Sequence, residues 1–171
     1  MRHVFIFCIC IGAFSLTCSH HQRDEGTLDY STLNYDTNRI CIFKWDTTKY
    51  SSYNSDPLPL SQKDLSVVDS FLKDAIDSFN INFSAGLYHA FSEQFAMDSF
   101  IVKQAAYKYQ FFPYKDVNGE RIIDIIGFKT NFPHWKTAVY FGGRHYGMHK
   151  FQLTVNLSRK FRTNLYTGDF G

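Results

Sequence analysis

Residues 61–80 carry the pattern that most constrains the fold. Ser61 and Asp64, three positions apart, form the capping signature that begins a helix. Apolar residues then recur along one face at helical spacing, and charged residues occupy the opposite face. The apolar face consists of Leu65, Val68, Phe71, Leu72, Ala75, Ile76 and Phe79. Such a face is stable only when it is buried, so the rest of the chain must supply a sheet or another helix that covers it.

The second half of the chain supplies strand patterns for that purpose. Segments 106–114 and 121–129 are rich in Tyr, Phe and Ile, as is typical of strands. Between them stands Asn118-Gly119, a dipeptide that favours a tight hairpin turn. These two strands are therefore predicted to pair in an antiparallel hairpin.

Further elements are predicted on either side of this hairpin. Segment 148–157 alternates apolar and polar residues, which indicates a strand with one buried face and one wet face. Another strand is predicted over 135–141 and an early one over 39–45, followed by a Pro-containing loop over 46–60. Residues 81–104 allow a short second helix.

The predicted order is a strand, a helix, a second helical piece and a meander of strands. The predicted fold class is α+β, with one main helix packed on a curved antiparallel sheet of about four to five strands. In element order alone, the chain resembles cystatin-like and NTF2-like folds. Fold resemblance of this kind says little about function.

The first 18 residues are typical of a secretory leader. Arg2 gives a positive start, and the uncharged run of 13 residues over 4–16 is too short to span a bilayer. Residues 15–18, Ser-Leu-Thr-Cys, resemble a bacterial lipobox, with Ser and Thr in the places usually held by Leu and a small residue. The resemblance implies cleavage before Cys18 and attachment of lipid to it.

Cleavage would divide the chain into a lipoprotein-type signal peptide over 1–18, a flexible tether over 19–38 and a single α+β domain over 39–171. Lipid chains on Cys18 would hold that domain in the cell envelope, anchored to a membrane. The alternative is secretion without lipid. Cys41 is predicted to be a small apolar residue within its strand, or to pair with Cys18 if the latter carries no lipid.

Short motifs in the second half extend the lipoprotein interpretation. They are Tyr107-Lys108-Tyr109-Gln110, Asn118-Gly119-Glu120, Trp135-Lys136, Gly142-Gly143 and Val155-Asn156-Leu157. In these motifs, which fall within about 50 of the 154 mature residues, the chain resembles small lipoproteins of unknown function from Bacteroidetes. The resemblance implies an envelope lipoprotein and no catalytic role.

Charge is divided unevenly along the chain. Residues 19–99 hold 6 basic and 12 acidic side chains, whereas residues 100–171 hold 11 basic and 4 acidic ones. Either the two halves neutralise each other in the fold, or the sheet half presents a basic face to an acidic glycan, lipid headgroup or protein. The net charge of +2 is too small for bulk nucleic-acid binding, so no nucleic-acid partner is predicted.

Aromatic residues, 18% of the chain, offer two interpretations. They form core and cross-strand pairs, or they line an exposed face that stacks on sugar rings. The candidate binding surface consists of Tyr107, Tyr109, Tyr114, Tyr140, Arg144, His145 and Tyr146. The leading hypothesis is a non-enzymatic, lipid-anchored envelope protein whose sheet face binds a macromolecular partner, either a protein or a glycan.

Catalytic signatures are missing from the sequence. It contains no nucleophile elbow, phosphate loop or dinucleotide fingerprint, and no cofactor or metal site is predicted. Two alternatives stay open. One is a small secreted hydrolase or isomerase with an NTF2-like pocket that holds His89, a Tyr pair or Asp124, which either faces solvent or is an inward carboxylate with a raised pKa. The other is a secreted protease inhibitor that acts through its hairpin loops, although cystatin-type motifs are missing.

Overall fold

The structure is a computed structural model, and it describes residues 29–44, 56–91, 93, 96–129, 131–139 and 147–168. The leader, Cys18 and residues 19–28 lie outside the described residues. The signal peptide, the lipid anchor and the first half of the tether therefore stay predictions.

Two helices and seven strands make up the described part of the chain. They are β1 (Ile40–Ile42), β2 (Asp56–Pro57), α1 (Gln62–Asn82), α2 (Ser84–Phe91), β3 (Lys108–Lys115), β4 (Arg121–Phe128), β5 (Lys150–Asn156), β6 (Phe161–Arg162) and β7 (Tyr166–Thr167). The strands form one open sheet in the order β1-β3-β4-β5-β6, with β2 on β3 and β7 on β5. The α+β class is confirmed.

Helix α1 begins where the capping signature predicts. The Ser61 Oγ accepts a hydrogen bond from the Asp64 backbone N–H at 3.3 Å, and the Asp64 carboxylate accepts one from the Ser61 N–H at 2.9 Å. Six of the seven predicted apolar positions are buried, and Phe71 is half-buried. The helix therefore turns its predicted face toward the sheet, and it runs two residues beyond position 80.

The predicted hairpin is also present, as β3 and β4. Their register pairs Lys108 with Phe128 at one end and Lys115 with Arg121 at the other. In the turn, Gly119 adopts a φ of +75°, a left-handed conformation that glycine reaches without a steric penalty. The Asn118-Gly119 dipeptide therefore predicts a turn here because glycine can adopt this conformation.

The sheet is mixed rather than purely antiparallel, which corrects the prediction at β1. Ile40 pairs with Tyr109 and Ile42 with Phe111 in parallel register. Both helices lie between β1 and β3 along the chain. Because a crossover of this length can return the chain to the same end of the sheet, it permits the parallel pairing that a hairpin forbids.

The strand predicted over 135–141 is wrong for the residues that the structure describes there. Residues 133–138 form turns, in which the backbone N–H groups of Thr137 and Ala138 donate to the His134 carbonyl at 2.9 and 2.8 Å. The Gln110 side-chain amide donates to the carbonyls of Trp135 and Ala138 at 2.7 and 2.8 Å. We call residues 131–139 the Trp135 segment; local bonds and this buried amide hold it on the sheet without strand pairing.

The flexible tether predicted over 19–38 is wrong from residue 29 onward. Tyr30 is 4% exposed, and its hydroxyl donates to the Leu58 carbonyl at 2.7 Å. The Gln62 side chain also bonds both backbone groups of Asn34, at 2.9 and 3.0 Å. The packed part of the chain thus starts ten residues before the predicted boundary. The polar composition of residues 19–38 does not indicate that Tyr30 is buried, so composition alone predicts a tether here.

Candidate functional site

Side-chain alternation along β3, β4 and β5 gives the sheet two chemically different faces. The helix face packs against α1 with Tyr109, Phe111, Ile123, Ile125, Phe151, Leu153 and Val155. The outer face, directed away from α1, carries Lys108, Gln110, Phe112, Tyr114, Ile122, Asp124, Ile126, Phe128, Lys150, Gln152, Thr154 and Asn156. Polar and charged side chains concentrate on the outer face, so it is where an interaction surface should be sought.

Two members of the predicted binding surface are core residues, which corrects that prediction. Tyr107 and Tyr109 are 1% and 2% exposed, and both rings pack against Phe151, with centroids 5.0 and 6.1 Å away. Their hydroxyls donate to the carbonyls of Met148 and Gln104 at 2.5 and 2.7 Å. Burial raises the pKa of both phenols above the ordinary value. They belong to the helix face and cannot stack on a ligand.

The other predicted surface residues have different outcomes. Tyr114 lies half-buried on the outer face, where it hydrogen-bonds the Asp124 carboxylate. Tyr140, Arg144, His145 and Tyr146 lie outside the described residues, so their part in a binding surface stays a prediction.

A lysine cluster that the sequence analysis did not single out stands at one end of the outer face. Lys108 and Lys150 flank Phe128 in register on the two neighbouring strands. Two strand spacings separate their backbones by about 10 Å. Lys129 follows Phe128, and its N–H donates to the His149 carbonyl at 2.9 Å. Strand pairing therefore brings Lys108 and Lys150 together on the outer face, and the Lys129 side chain lies at the same end of the sheet against Tyr107 of the helix face.

Aromatic rings support the ammonium groups of this cluster. The Nζ atoms of Lys108 and Lys136 lie 5.2 and 5.3 Å from the centroid of the Trp135 ring. The Lys129 Nζ lies 4.9 Å from the centroid of Tyr107. Such contacts attract a cation through the ring quadrupole without neutralising its charge. We call Lys108, Lys129, Lys136 and Lys150 the lysine patch.

Acidic side chains are missing from the stretch of sequence that holds three of the patch lysines, Lys129, Lys136 and Lys150. No Asp or Glu occurs between Asp124 and Asp169. Within the described part of the chain, Lys108, Lys129 and Lys136 form no ion pair with a carboxylate. Burial lowers the pKa of Lys129 and of Lys150, and the nearby Lys103 adds to the effect at Lys129. Lys108, Lys129 and Lys136 thus concentrate positive charge without a carboxylate partner among the described residues.

The uneven charge of the two halves is partly neutralised elsewhere. Asp64 and Asp74 of α1 pair with Arg121 and Arg162 of the sheet half, with N–O distances of 2.7 and 2.8 Å. These ion pairs fasten the helix to the sheet at β4 and β6. Arg121 and Arg162 therefore contribute to the fold through ion pairs, as distinct from the lysines of the patch.

The catalytic pocket proposed as an alternative is not assembled from the residues predicted for it. His89 is exposed on α2, whereas Asp124 lies on the outer face, on the far side of the sheet from the helices. Asp124 accepts a hydrogen bond from the Thr154 hydroxyl at 2.6 Å, and burial raises its pKa. Asp124 therefore lies on the face that strand alternation predicts, but it is half-buried and hydrogen-bonded rather than fully solvated.

The described residues offer little other chemistry. No three His, Cys, Asp or Glu side chains among them come together in a way that would hold a metal ion. Burial raises the pKa of the Cys41 thiol, which lies 3.5 Å from the Lys136 carbonyl. No helix in the described ranges combines the length and the hydrophobicity needed to cross a bilayer.

Comparison with known proteins gives no family assignment. No protein-family model, no curated protein and no solved structure matches the chain. The functional argument therefore depends on the geometry and charge of the outer face.

Proposed function

We propose that the protein is a non-enzymatic binding protein whose lysine patch captures an acidic polysaccharide. The observation that carries this proposal is the juxtaposition of Lys108 and Lys150 across Phe128, extended by Lys136 and Lys129. Three lysines toward the outer face, with Lys129 beside Tyr107 at the same end of the sheet, give a local positive potential that attracts a polyanion.

The composition of the lysine patch favours a polysaccharide over a protein partner. Protein interfaces depend on a few large apolar or aromatic side chains that become desolvated at their centre. The large exposed apolar residues that the structure describes are Ile81, Phe83, Val117, Phe161 and Tyr166. None of them belongs to the patch, and Trp135 is only 7% exposed, so it positions the lysines rather than contacting the partner.

The proposal includes the predicted setting of the protein. A lipid anchor on Cys18 would place the lysine patch at the envelope, where a charged polymer is within reach. The same proposal places the protein among small envelope lipoproteins. It also includes a cystatin-like or NTF2-like element order. One long helix packed across an open sheet supports that order.

Charge neutralisation in the patch tests the binding proposal. In the double variant Lys108→Gln/Lys136→Gln, affinity for an acidic polysaccharide such as polygalacturonate should fall at least about tenfold, because two charge contacts are lost. Binding by the native protein should weaken steeply as salt rises, since association releases counterions. Titration calorimetry at several salt concentrations measures both effects.

A matched control removes the same charge from another surface. Lys63 and Lys73 are exposed on α1 and form no ion pair within the described residues. The variant Lys63→Gln/Lys73→Gln should bind polygalacturonate as the native protein does. Equal losses in both double variants would contradict a localised site. Binding to vesicles rich in phosphatidylglycerol but not to the polysaccharide would replace the proposed partner with a membrane.

The anchor is tested separately by the intact mass of the protein from its native membrane fraction. A mass equal to residues 18–171 plus diacylglycerol and acyl chains would establish lipidation of Cys18. An unlipidated chain that starts near Ser19 would contradict the anchor and leave the polysaccharide test unaffected.

A further inference from the structure

A cavity of about 400 Å³ lies on the helix side of the sheet, apart from the lysine patch. Its walls are the first turns of α1, the segment that leads into β1, the turn at Gln104 and the start of β3. Its volume is within the range of pockets that bind small organic molecules.

Apolar side chains line one part of the cavity and charged side chains another. Leu65 and Leu72 of α1 face Phe111 and the ring of Tyr109. The charged residues at the wall are Asp36, Arg39 and Asp69. A ligand that fills this space must therefore combine an apolar body with one negative and one positive group, which complement the arginine and the aspartates.

Arg39 is held in place by backbone carbonyls. Its Nε donates to the Tyr107 carbonyl at 3.4 Å and its Nη2 to the Gln104 carbonyl at 2.5 Å. The guanidinium carbon also lies 5.7 Å from the centroid of the Tyr109 ring. These contacts occupy one edge of the guanidinium fork. Its Nη1 has no acceptor within the described part of the chain, so N–H groups remain available to a ligand.

Arg39 differs from the other arginines that the structure describes. Arg121, Arg159 and Arg162 each pair with a carboxylate, whereas Arg39 has no such partner among the described residues. An arginine fork matches a carboxylate in bidentate geometry. A half-buried guanidinium that lines a cavity and is not ion-paired with either of the aspartates there can therefore receive the carboxylate of a ligand.

The two aspartates at the same cavity also lack cationic partners within the described ranges. Asp36 accepts from the Asn38 N–H at 3.0 Å, and Asp69 accepts from the Gln104 side-chain amide at 3.3 Å. Neither forms an ion pair with a described residue. They would repel a simple anion but attract an ammonium group on the same ligand.

From this arrangement we propose that the cavity binds a small zwitterion with an apolar body, such as a free apolar amino acid. Arg39 takes its carboxylate, Asp36 and Asp69 attract its ammonium group, and the apolar side chain lies against Leu65, Leu72 and Phe111. The site is independent of the lysine patch, which lies toward the outer face, so either proposal can fail without the other.

L-Phenylalanine and L-leucine are the probes for the test, with titration calorimetry and the thermal midpoint as readouts. The purified native protein should bind at least one of them saturably and gain thermal stability with ligand concentration. 3-Phenylpropionate lacks the ammonium group and phenethylamine lacks the carboxylate, so each should bind at least about tenfold more weakly than L-phenylalanine. Absence of saturable binding of either amino acid up to about 10 mM would overturn the proposal.

Variants locate the site. Asp69→Asn and Arg39→Lys should each weaken amino-acid binding at least about tenfold, because the first removes the anionic wall and the second the fork geometry. Asp77→Asn is the matched control, since Asp77 is an exposed acid of the same helix outside the cavity. If Arg39→Lys fails to fold, the comparison of Asp69→Asn with Asp77→Asn still tests whether the cavity binds the amino acid. Unchanged binding in Asp69→Asn, or equal affinity for 3-phenylpropionate and L-phenylalanine, would overturn the zwitterion assignment.

Discussion

The two faces of the sheet use the same strands for different purposes. On the helix face, Ile123, Ile125 and Phe151 are at most 1% exposed and pack against α1. On the outer face, the neighbouring positions hold Asp124, Lys150 and Thr154, which are half-buried and polar. Burial of apolar area stabilises the fold, and the helix face supplies most of it. The outer face therefore tolerates charge that the helix face could not.

The contrast between the faces separates residues that determine stability from residues that are available for binding. A change on the helix face should cost folding free energy whether or not a ligand is present. A change at Lys136, the exposed member of the lysine patch, should alter binding and leave stability nearly unchanged, because exposed substitutions usually have small effects. Single substitutions on the two faces and at their junction with α1 test that division.

Gly127→Ala should have the largest effect on stability, although it adds only one methyl group. Gly127 pairs with Phe151 across β4 and β5, and an added Cβ would overlap with the Phe151 ring. That ring is wedged between Tyr107 and Tyr109, so it has little room to move. Overpacking costs about 1–3 kcal/mol and occasionally more, and we expect an overlap this close to cost at least about 3 kcal/mol. Chemical denaturation of the native and variant proteins measures the difference.

Gly86→Ala is the matched control for that substitution. Gly86 lies in α2, and an added Cβ there would meet no atom within 4 Å. Because alanine favours a helix over glycine, this variant should gain up to about 1 kcal/mol. A loss in Gly86→Ala, or no loss in Gly127→Ala, would contradict the packing argument.

Asp64→Ala should cost about 2–3 kcal/mol, because it removes a helix cap and leaves a partly buried arginine unpaired. Burial alone would raise the pKa of Asp64, but hydrogen bonds from Arg121 and Ser61 outweigh it and hold the pKa below the ordinary value of 3.8. The contribution of the Asp64 carboxylate to the free energy of unfolding is therefore fully present above about pH 3.8. It is lost as pH falls through the lower folded-state pKa.

Unfolding free energies measured at pH 7 and below pH 3 test the Asp64 prediction. The gap between the native protein and Asp64→Ala should shrink in acid, whereas the exposed control Asp77→Ala should stay within about 0.5 kcal/mol of native. A gap of equal size at both values of pH would show that the carboxylate charge contributes nothing.

Local patterns predicted the parts of the fold that local physics determines. The Ser61 cap, the apolar stripe of α1 and the Asn118-Gly119 turn all depend on neighbours within a few residues. Long-range contacts determine the parallel pairing of β1 with β3 and the position of the Trp135 segment on the sheet. A single sequence does not show such contacts. The lysine patch was missed for the same reason, since strand register alone brings Lys108 beside Lys150 across Phe128.

The smallest predicted effect concerns the carboxylate of the outer face. Burial raises the pKa of Asp124 above 3.8, although hydrogen bonds from Thr154 and Tyr114 oppose the shift. A raised pKa means that the folded state binds its proton more tightly than the unfolded state, so Asp124 lowers stability as pH rises through the folded-state pKa. Asp124→Asn should remove this penalty and gain less than about 1 kcal/mol at pH 7. The gain should vanish near pH 3, where the native carboxyl is already neutral. A variant that is less stable than native at pH 7 and equal at pH 3 would instead show that the ionised carboxylate stabilises the outer face.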